Sequence, residues 1–337
     1  MRTIVIIPGD GIGPEITDAT VEMLKSLNLP IDFEYHTMGA NALEATGELI
    51  PQETIDAIAK YEIALKGPVT TPIGGGFRSV NVTLRRHFDL FANIRPIRGF
   101  GKVPRRYDKV DLIIFRENTE DLYAGIEEQI SEDEAHSIKV ITAKGSRRIA
   151  KAAFEYALAH NKEKVTVVTK ANIMKLTDGL FLESARKVAI QYPGIALEEI
   201  LVDHMAMELV LDPSKYGIIL TENLYGDILS DLGAGLIGGL GLAPGANMGK
   251  DVAVFEAVHG SAPDIAGKDL ANPTALFLSA AMLLDHMKYY KEAQAITTCC
   301  NLVLSQPSNF TRDLGGKLGT KEYTKIFIKR LREVLNA

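Results

Sequence analysis

Apolar, β-rich runs alternate with segments of helical periodicity along most of the chain, and this alternation constrains the fold more than any other feature. The strand-like runs lie at residues 4–7, 31–35, 63–65, 112–116, 165–169, 197–202 and 217–220. The helical segments lie at residues 14–27, 52–60, 146–160 and 179–192. Strands that alternate with helices predict an α/β fold in which helices cover the faces of a sheet.

The length of the chain exceeds what one hydrophobic core usually organises. With 337 residues, 46% of them hydrophobic and 24% charged, the chain has the composition of a globular protein that is large enough for two lobes. No Ser- or Pro-rich linker separates two halves. We therefore expect a chain that leaves a first lobe, builds a second and returns, with a functional site between the lobes.

Charge and cysteine content exclude several functional classes. A formal net charge of −6 argues against a nucleic-acid-binding surface, which would need basic clusters. Cys299 and Cys300 are adjacent, so they cannot join distant segments in a disulfide framework. No apolar stretch is long enough to cross a membrane, and the first apolar run is too short for a signal peptide. The simplest expectation is a cytoplasmic prokaryotic protein, although a processed organellar protein would look the same.

Two aspartates four residues apart, Asp227 and Asp231, form a candidate metal site. On a helix their side chains would lie one turn apart and could bind one divalent cation, because such ions prefer carboxylate oxygen. Pairs of this kind also occur by chance as solvated carboxylates. Here Tyr225 and Gly226 precede the pair and the glycine-rich segment 233–249 follows it, which suits close approach of a ligand to the backbone.

Three glycines follow the first strand and open a helix, with Glu34 further on, as in a dinucleotide-binding fingerprint. They are Gly9, Gly11 and Gly13. The spacing is G-x-G-x-G and not G-x-G-x-x-G, and Pro14 suits the first turn of a helix. We therefore reject the fingerprint and interpret the segment as a tight turn that leads into a helix.

A polar loop that begins at Lys66 leads into a predicted helix and carries small hydroxyl and amide groups. They include Thr71, Ser79 and Asn81. Alone, such groups could be helix caps. Three arginines follow near strand or helix ends: Arg85, Arg95 and Arg116. Guanidinium groups bind carboxylates bidentately, so several fixed arginines beside this loop favour a polycarboxylate ligand over isolated surface charges.

The most specific motif reads His-Gly-Ser-Ala-Pro-Asp-Ile-Ala-Gly at residues 259–267 and continues as Ala-Asn-Pro-Thr at 271–274. With the aspartate pair, it resembles the β-decarboxylating dehydrogenases, the family of isocitrate, isopropylmalate, homoisocitrate and D-malate or tartrate dehydrogenases. In that family the motif is the adenosine-binding segment. Further matches from Pro8 to Gly316 span nearly the whole chain.

The resemblance implies an α/β, two-lobed fold like that of isopropylmalate dehydrogenase, with mixed sheets, flanking helices and a nucleotide site that is not of the Rossmann type. It implies a large nucleotide-binding domain of residues 1–95 and 250–337, and a small dimerisation and metal-binding domain of residues 96–249. The acidic stretch 127–134 and the strand-like run 137–142 could be a flexible surface loop. The resemblance instead suggests an arm near residues 121–143 that clasps a second subunit, giving a homodimer with shared active sites.

The resemblance also implies catalytic roles for Tyr123, Lys170 and Asp203. Tyr123 would protonate the carbon left after decarboxylation, and Lys170 would assist deprotonation of the substrate hydroxyl, provided that burial and neighbours tune both pKa values. In the family, the counterparts of Lys170 and Asp203 come from the other subunit. The implied substrate-binding residues are Thr71, Ser79, Asn81, Arg85, Arg95 and Arg116. The implied metal ligands are Asp203, Asp227 and Asp231. Taken singly, Tyr123 and Lys170 could be an interface phenol and a surface lysine.

Cofactor choice is expected to depend on Asp264 and Ile265, because family members that use NADP carry a lysine and a tyrosine at these positions. A carboxylate accepts hydrogen bonds from a ribose diol and repels a 2′-phosphate, so we expect NAD. Arg312 is a nearby cation that could still meet a phosphate. The implied cofactor-binding residues are Thr71, His259, Gly260, Ser261, Ala262, Pro263, Asp264, Ile265 and Asn272.

The sequence therefore predicts an enzyme that converts isocitrate to 2-oxoglutarate and carbon dioxide, with NAD and Mg²⁺ or Mn²⁺. Ser79 and Asn81 favour isocitrate, because they resemble the pair that receives its γ-carboxylate where isopropylmalate enzymes place apolar contacts. Activity on homoisocitrate, alone or together with isocitrate, stays open. Homoisocitrate is one methylene longer, and one methylene changes the discrimination between two substrates by only ~1–3 kcal/mol. Isopropylmalate, D-malate or tartrate dehydrogenase and a non-catalytic regulatory subunit are less favoured.

Overall fold

The strands follow the predicted order. The computed structural model describes residues 2–71 and 79–336, so part of the predicted polar loop, residues 72–78, lies outside the described residues. The strands are β1 (Arg2–Ile7), β2 (Ile31–Tyr35), β3 (Ile63–Lys66), β4 (Ala92–Arg98), β5 (Asp111–Glu117), β6 (Asp121–Ser131), β7 (Glu134–Val140), β8 (Lys164–Thr169), β9 (Ala196–Leu201), β10 (Ile218–Thr221), β11 (Pro244–Met248) and β12 (Ala253–Ala257).

Helices connect these strands and cover the sheet. They are α1 (Gly13–Lys25), α2 (Ala40–Thr46), α3 (Gln52–Tyr61), α4 (Val80–His87), α5 (Ala143–Ala159), α6 (Thr177–Ala189), α7 (Val202–Leu211), α8 (Asn223–Ile237), α9 (Thr274–His286), α10 (Tyr290–Val303) and α11 (Thr320–Asn336). The predicted elements are present with bounds shifted by a turn or less. One boundary differs in type, because Val202 begins α7 and does not end a strand.

Ten strands form one mixed sheet in the order β2-β1-β3-β12-β11-β4-β5-β10-β8-β9. The first four strands of this order run parallel to one another, and so do the last four. In the middle, β11 is antiparallel to β12 and to β4, and β4 is antiparallel to β5. The predicted α/β fold with a mixed sheet and flanking helices is confirmed. After β3 the chain leaves the end of the sheet that holds β2, β1 and β3, and it returns there with β12. The lobe boundaries stay a prediction.

Helix α9 is apolar on nearly every side and almost entirely buried against β11, β12 and α10. Such a helix belongs to a core that has elements on all sides of it. Within residues 2–71 and 79–336, no helix is both long enough and apolar enough to cross a membrane. Cys299 and Cys300 lie buried on α10 as free thiols.

The glycine loop before α1 is a packing junction. Gly9 and Gly11 have positive φ angles of 75° and 58°, which glycine adopts without strain. A Cβ atom on Gly11 would lie 2.0 Å from the carbonyl oxygen of Ser261. The amide of Ile12 donates a hydrogen bond to that same oxygen at 2.8 Å. These glycines therefore let the turn meet the segment that follows β12, which agrees with a tight turn and not with a dinucleotide fingerprint.

Strands β6 and β7 form a separate two-stranded antiparallel sheet, the arm. The acidic stretch 127–134 is thus largely strand and not an irregular loop. Four large apolar side chains on the arm and at its base are 37–48% exposed: Leu122, Ile126, Ile130 and Ile138. Apolar side chains in such number on a two-stranded sheet are typical of a surface that another chain covers.

Candidate active site

A cavity of about 240 Å³ lies where β3, β5 and β12 end, beside the middle of β4 and near the starts of α4 and α8. Nine of the predicted site residues line it, namely Ser79, Asn81, Arg85, Arg95, Arg116, Tyr123, Asp227, His259 and Gly260. Lys66 and Glu256 line it as well. Several of the segments that carry predicted site residues therefore meet in one place, although they are far apart along the chain.

Glu256 anchors one wall of the cavity. Its carboxylate accepts hydrogen bonds from Lys66 at 2.6 Å and from the side-chain amide of Asn247 at 2.7 Å. The Arg85 guanidinium lies 3.4 Å away. Burial alone would raise the pKa of Glu256, but Lys66 and Arg85 hold it well below its ordinary value. The glutamate is therefore ionised, and it fixes two cations at the cavity wall. Neither Lys66 nor Glu256 was among the predicted site residues, although the position of a lysine at the end of an apolar strand was an available signal.

Two buried arginines and Asp227 form the opposite wall. The Arg116 Nη1 atom lies 2.6 Å from Asp227 Oδ1, and the Arg95 Nη1 atom lies 3.3 Å from the same oxygen. Burial, followed by repulsion from the neighbouring guanidinium groups, lowers the pKa of Arg116 to about 9. Burial would raise the pKa of Asp227, but Arg116, Tyr123 and Arg95 hold it below its ordinary value. The wall therefore presents cationic groups to a ligand in the cavity.

Tyr123 reaches this wall from β6. Its hydroxyl donates a hydrogen bond to Asp227 Oδ2 at 2.5 Å, and its ring lies 5.1 Å from the guanidinium carbon of Arg116. Burial, and then the hydrogen bond to Asp227, raise the pKa of Tyr123 above its ordinary value. The phenol therefore keeps its proton through the neutral range, as a proton donor requires.

Ser79 and Asn81 lie at the start of α4. Ser79 is the N-cap residue and accepts a hydrogen bond from the amide of Val82, so it has the capping role that the sequence left open. Ser79 also lines the cavity, so the predicted role in binding substrate is compatible with the capping role. Asn81 Oδ1 is buried and makes no hydrogen bond to any described residue. Thr71 accepts a hydrogen bond from the amide of Val80 and does not line the cavity as far as the described residues define it.

The aspartate pair lies on α8 as predicted, with Asp231 one turn beyond Asp227. Both carboxylates approach Arg95, since Asp231 Oδ1 lies 3.8 Å from the Nη1 atom that also approaches Asp227. Burial raises the pKa of Asp231. Within the described residues of one chain, no group of three or more His, Cys, Asp or Glu side chains could hold a metal ion. Two hard carboxylates on one helix face fit a divalent cation that obtains further ligands from substrate, water or another chain.

Lys170 and Asp203 pair with each other and do not line the cavity in a single chain, as far as the described residues show. The hydrogen bond from Lys170 lowers the pKa of Asp203. The side chain of Asp203 is 66% exposed. A single chain thus separates these two predicted catalytic residues from Tyr123, which is the arrangement that a site shared between two subunits requires.

The predicted adenosine-binding segment borders the cavity. The Nε2 atom of His259 is buried and makes no hydrogen bond to the described residues, and burial lowers the pKa of its ring. Ser261 is fixed by a 2.7 Å hydrogen bond to Thr70. A short helical turn, Pro263–Ile265, follows and leaves Asp264 exposed. Asn272 is held by Asp313 at 2.9 Å. A buried imidazole nitrogen beside an ordered loop fits a polar ligand such as a nucleotide.

Behind the cavity lies the Lys139 cluster, which consists of Asp121, Lys139, Asp178 and Glu222. Burial would lower the pKa of Lys139, but the carboxylates around it raise the value above the ordinary one. Burial, opposed by Lys139, raises the pKa of Glu222 to about 8. The ammonium group is therefore charged, and Glu222 keeps a proton that the unfolded chain would release.

This raised pKa predicts a pH-dependent stability. Between about pH 5 and about pH 8 the folded state binds a proton at Glu222 that the unfolded state has lost, so the free energy of unfolding falls by up to about 1.4 kcal/mol per pH unit. The variant Glu222→Gln should lack this slope. Urea unfolding of both proteins from about pH 5 to about pH 9 measures it. Glu333→Gln, on the exposed face of α11, should keep the wild-type slope, whereas parallel curves for Glu222→Gln and wild type would refute the shift.

The chain is similar to known proteins over nearly its whole length. The family model for isocitrate/isopropylmalate dehydrogenase matches residues 3–328. A mitochondrial protein of Dictyostelium discoideum, named as regulatory in NAD isocitrate dehydrogenase, is 48% identical over 337 residues, covering 100% of this chain and 94% of that protein. The mitochondrial catalytic subunit 5 of the Arabidopsis thaliana enzyme is 46% identical over 330 residues, covering 98% and 88%. The crystal structure of isocitrate dehydrogenase from Methylococcus capsulatus has 47% sequence identity and a TM-score of 0.95, covering 98% of this chain and 100% of that one.

These comparisons correct one prediction. The curated relatives, including a Homo sapiens protein with 44% identity, are named as mitochondrial, so the predicted cytoplasmic location is wrong. Composition and net charge do not distinguish between these compartments, which is why the sequence led to the wrong one.

Proposed function

The chain belongs to the isocitrate/isopropylmalate dehydrogenase family, and we propose on this premise that it catalyses the NAD-dependent oxidative decarboxylation of isocitrate. Three guanidinium groups and a buried asparagine oxygen line one cavity that also holds an ionised aspartate and a protonated phenol. A substrate with three carboxylates and a hydroxyl matches that set of groups. The meeting of Arg95, Arg116 and Tyr123 on Asp227 is the single observation that carries the proposal.

The arginines orient the substrate. Arg85, Arg95 and Arg116 hold its α- and β-carboxylates, and their burial strengthens each ion pair because little water competes. Ser79 and Asn81 receive the γ-carboxylate at the start of α4, where the amide groups of a helix N-terminus also favour an anion. The carboxylate that leaves as carbon dioxide is thereby fixed relative to the hydroxyl that is oxidised.

Two protons are moved by residues of this protein. Lys170 assists removal of the proton from the substrate hydroxyl. NAD, when bound, would accept the hydride from the same carbon. Tyr123 then donates its proton to the carbon from which carbon dioxide has left, and the raised pKa of its hydroxyl keeps that proton available. Both roles depend on placement, so Asp227 and Asp203, which hold these two side chains, also act in positioning.

A divalent metal, Mg²⁺ or Mn²⁺, completes the site. Asp227 and Asp231 would hold it together with Asp203 of a second subunit, and when bound it supplies Lewis-acid stabilisation of the negative charge that develops on the substrate oxygens. Asp227 is ionised by its arginine neighbours before any metal arrives. Each of these carboxylates is a hard ligand of the kind that both ions prefer.

The proposed assembly is a homodimer with shared sites. Its support is the apolar surface of the arm and the separation of Lys170 and Asp203 from the cavity in one chain. Exposed apolar side chains near Lys170, Ile173 at 69% and Leu176 at 88%, extend the surface that a partner would bury. Residues 96–249 would form the dimerisation and metal-binding domain, and residues 1–95 and 250–337 the nucleotide-binding domain.

One relative, the Dictyostelium discoideum protein, is named as regulatory, so a non-catalytic function needs consideration. A regulatory subunit has no need for a complete set of proton-transfer and metal-binding groups. This chain keeps Tyr123, Lys170, Asp203, Asp227 and Asp231. We therefore infer that the chain is catalytic.

Initial rates of NAD reduction by the purified protein alone, with Mn²⁺, test the proposal. Isocitrate should be preferred to homoisocitrate, 3-isopropylmalate and D-malate. A preference for another of these acids would overturn the substrate assignment but would leave the proposed class of reaction unchanged. No turnover of any of them would support the regulatory function.

Changing the adenosine segment should change the cofactor. In Asp264→Lys combined with Ile265→Tyr, an ammonium group and a phenol replace a carboxylate and an apolar side chain, so a 2′-phosphate meets attraction in place of repulsion. We expect the ratio of kcat/KM for NADP to that for NAD to rise about 100-fold or more, as two altered polar contacts allow. Steady-state rates with both cofactors measure the ratio.

The matched control for this change is Asp269→Lys, a second aspartate in the same loop region, which should leave the ratio within about threefold of wild type. An unchanged ratio in the double variant would show that residues 264 and 265 do not contact the adenosine ribose.

A further inference from the structure

The Lys139 cluster lies behind the candidate active site, and the function proposed above assigns it no role. Its three carboxylates, Asp121, Asp178 and Glu222, are at most 1% exposed. The Lys139 Nζ atom lies 2.5 Å from Asp178 and 3.9 Å from Asp121 and also pairs with Glu222. The described residues supply no other cation within 4 Å of these three carboxylates. Lys139 is therefore the common partner of these three buried acids.

Asp178 connects this lysine to the segment that carries Lys170. Its Oδ1 atom accepts the hydrogen bond from Lys139, while its Oδ2 atom accepts a hydrogen bond from the backbone amide of Lys170 at 2.7 Å. Oδ2 also accepts a hydrogen bond from the hydroxyl of Tyr225 at 3.1 Å. The backbone position of Lys170 is thus fixed by a carboxylate that Lys139 holds in place.

Asp121 and Glu222 connect the same lysine to α8. Asp121 Oδ1 faces Lys139, and its Oδ2 atom accepts a hydrogen bond from the amide of Leu224 at 2.7 Å, in the first turn of that helix. Glu222 is the N-cap residue of α8. Helix α8 carries Asp227, and Asp121 precedes Tyr123 by two residues. The contacts of Lys139 therefore lead to each of the three segments that carry Tyr123, Lys170 and Asp227.

We propose that Lys139 is a positioning residue of this enzyme, which sets the mutual placement of the segments that carry Tyr123, Lys170 and Asp227 through the second oxygens of Asp121 and Asp178. This inference rests on the proposed function. Lys139 does not line the cavity as far as the described residues define it, so it acts through these neighbours. Because Lys139 lies on β7, the placement is coupled to the arm, and the arm thereby becomes part of the catalytic architecture.

A role in stability alone does not account for this arrangement. Burying four ionisable groups costs more in desolvation than their attraction generally returns, and well-packed apolar side chains are often as stable. Here each aspartate uses one oxygen for Lys139 and the other for a backbone amide of a functional segment. Buried networks of this kind specify one geometry, and an error of about 1 Å in placement costs about 100-fold in rate.

The test compares wild type with Lys139→Met and Lys139→Arg, with Lys187→Met as the control for loss of an exposed lysine. In Lys139→Met, kcat for isocitrate should fall about 30-fold or more, while the KM for isocitrate changes less than about threefold because the three arginines are untouched. Hydrogen exchange at the amides of Lys170 and Leu224 should accelerate, while exchange in β1 stays unchanged. Lys139→Arg should recover most of the lost kcat, and Lys187→Met should match wild type.

Several outcomes would overturn the proposal. A kcat within threefold of wild type in Lys139→Met would do so, and so would a loss of kcat without faster exchange at Lys170 and Leu224. Where Lys139→Met does not fold, the double variant Lys139→Met with Glu222→Gln removes the lysine together with the ionisable group of one of the buried acids that it pairs with, and a wild-type kcat in that variant also refutes the role. Hydrogen exchange reports on the contacts even where wild type fails to turn over isocitrate, so failure of the proposed function and failure of this inference are distinguishable.

Discussion

Replacing Asp227 with asparagine should lower kcat/KM for isocitrate by about 10²–10³-fold, the loss expected when one charge that stabilises a buried transition state is removed. Asparagine keeps the size of the side chain and removes the charge that pairs with Arg95 and Arg116 and accepts the hydrogen bond from Tyr123. Arg116 loses its carboxylate partner in a buried site, and a metal loses one hard ligand. Initial rates with saturating Mn²⁺, and Mn²⁺ binding measured by calorimetry with isocitrate present, separate the two effects.

The control for this variant is Asp111→Asn. Asp111 pairs with Arg98 at 3.2 Å, but both side chains are about half exposed and the pair lies outside the candidate active site. Solvent screens such a pair, so kcat/KM should stay within about threefold of wild type. If Asp227→Asn keeps kcat/KM within tenfold of wild type, Asp227 is neither a metal ligand nor a group that fixes the arginines.

Two inactive variants should regain activity when they share one dimer. Tyr123→Phe and Lys170→Met should each lose about 10²-fold or more in kcat as homodimers, because each removes a proton-transfer group. In a hybrid with one copy of each, a shared site would combine the intact Tyr123 of one chain with the intact Lys170 of the other. Hybrids isolated by two affinity tags should therefore show about half of the wild-type activity, since one of their two sites is whole.

The structure supplies a matched control for this experiment. Tyr123 and Asp227 touch within one chain, so a hybrid of Tyr123→Phe with Asp227→Asn has a defect in both sites and should stay inactive. Recovery in this control, or no recovery in the hybrid with Lys170→Met, would contradict the proposed sharing of sites between subunits.

The strands with continuous apolar runs could be predicted from the sequence, whereas the centre of the sheet could not. Strands β1 and β10 are buried on both faces, which leaves a clear run of apolar residues in the sequence. Strand β11 reads Pro-Gly-Ala-Asn-Met, a composition with low strand propensity, and it forms only because β12 and β4 pair with both of its edges. Its buried Asn247 is satisfied by Glu256 and Asn93, contacts that no local pattern indicates.

The candidate site was predictable where a residue carries its own chemical pattern. The aspartates on α8 and the three arginines could be found from spacing and side-chain type, and Arg95, Arg116 and Asp227 do meet. Lys66, Glu256 and Lys139 each lie in a strand and bind partners far away in the sequence. Their roles depend on contacts that the fold creates, and only the position of Lys66 at the end of an apolar strand was a signal in the sequence.

The order of strands in the sheet also has a consequence for synthesis of the chain. Strand β3 needs β12 as its neighbour, and Ile63 pairs with Ala253 across most of the length of the protein. While a ribosome makes the intervening residues, the edges of β3 and β4 have no permanent partners, and open strand edges invite pairing with other chains. The nascent protein is therefore open to aggregation until β12 has emerged.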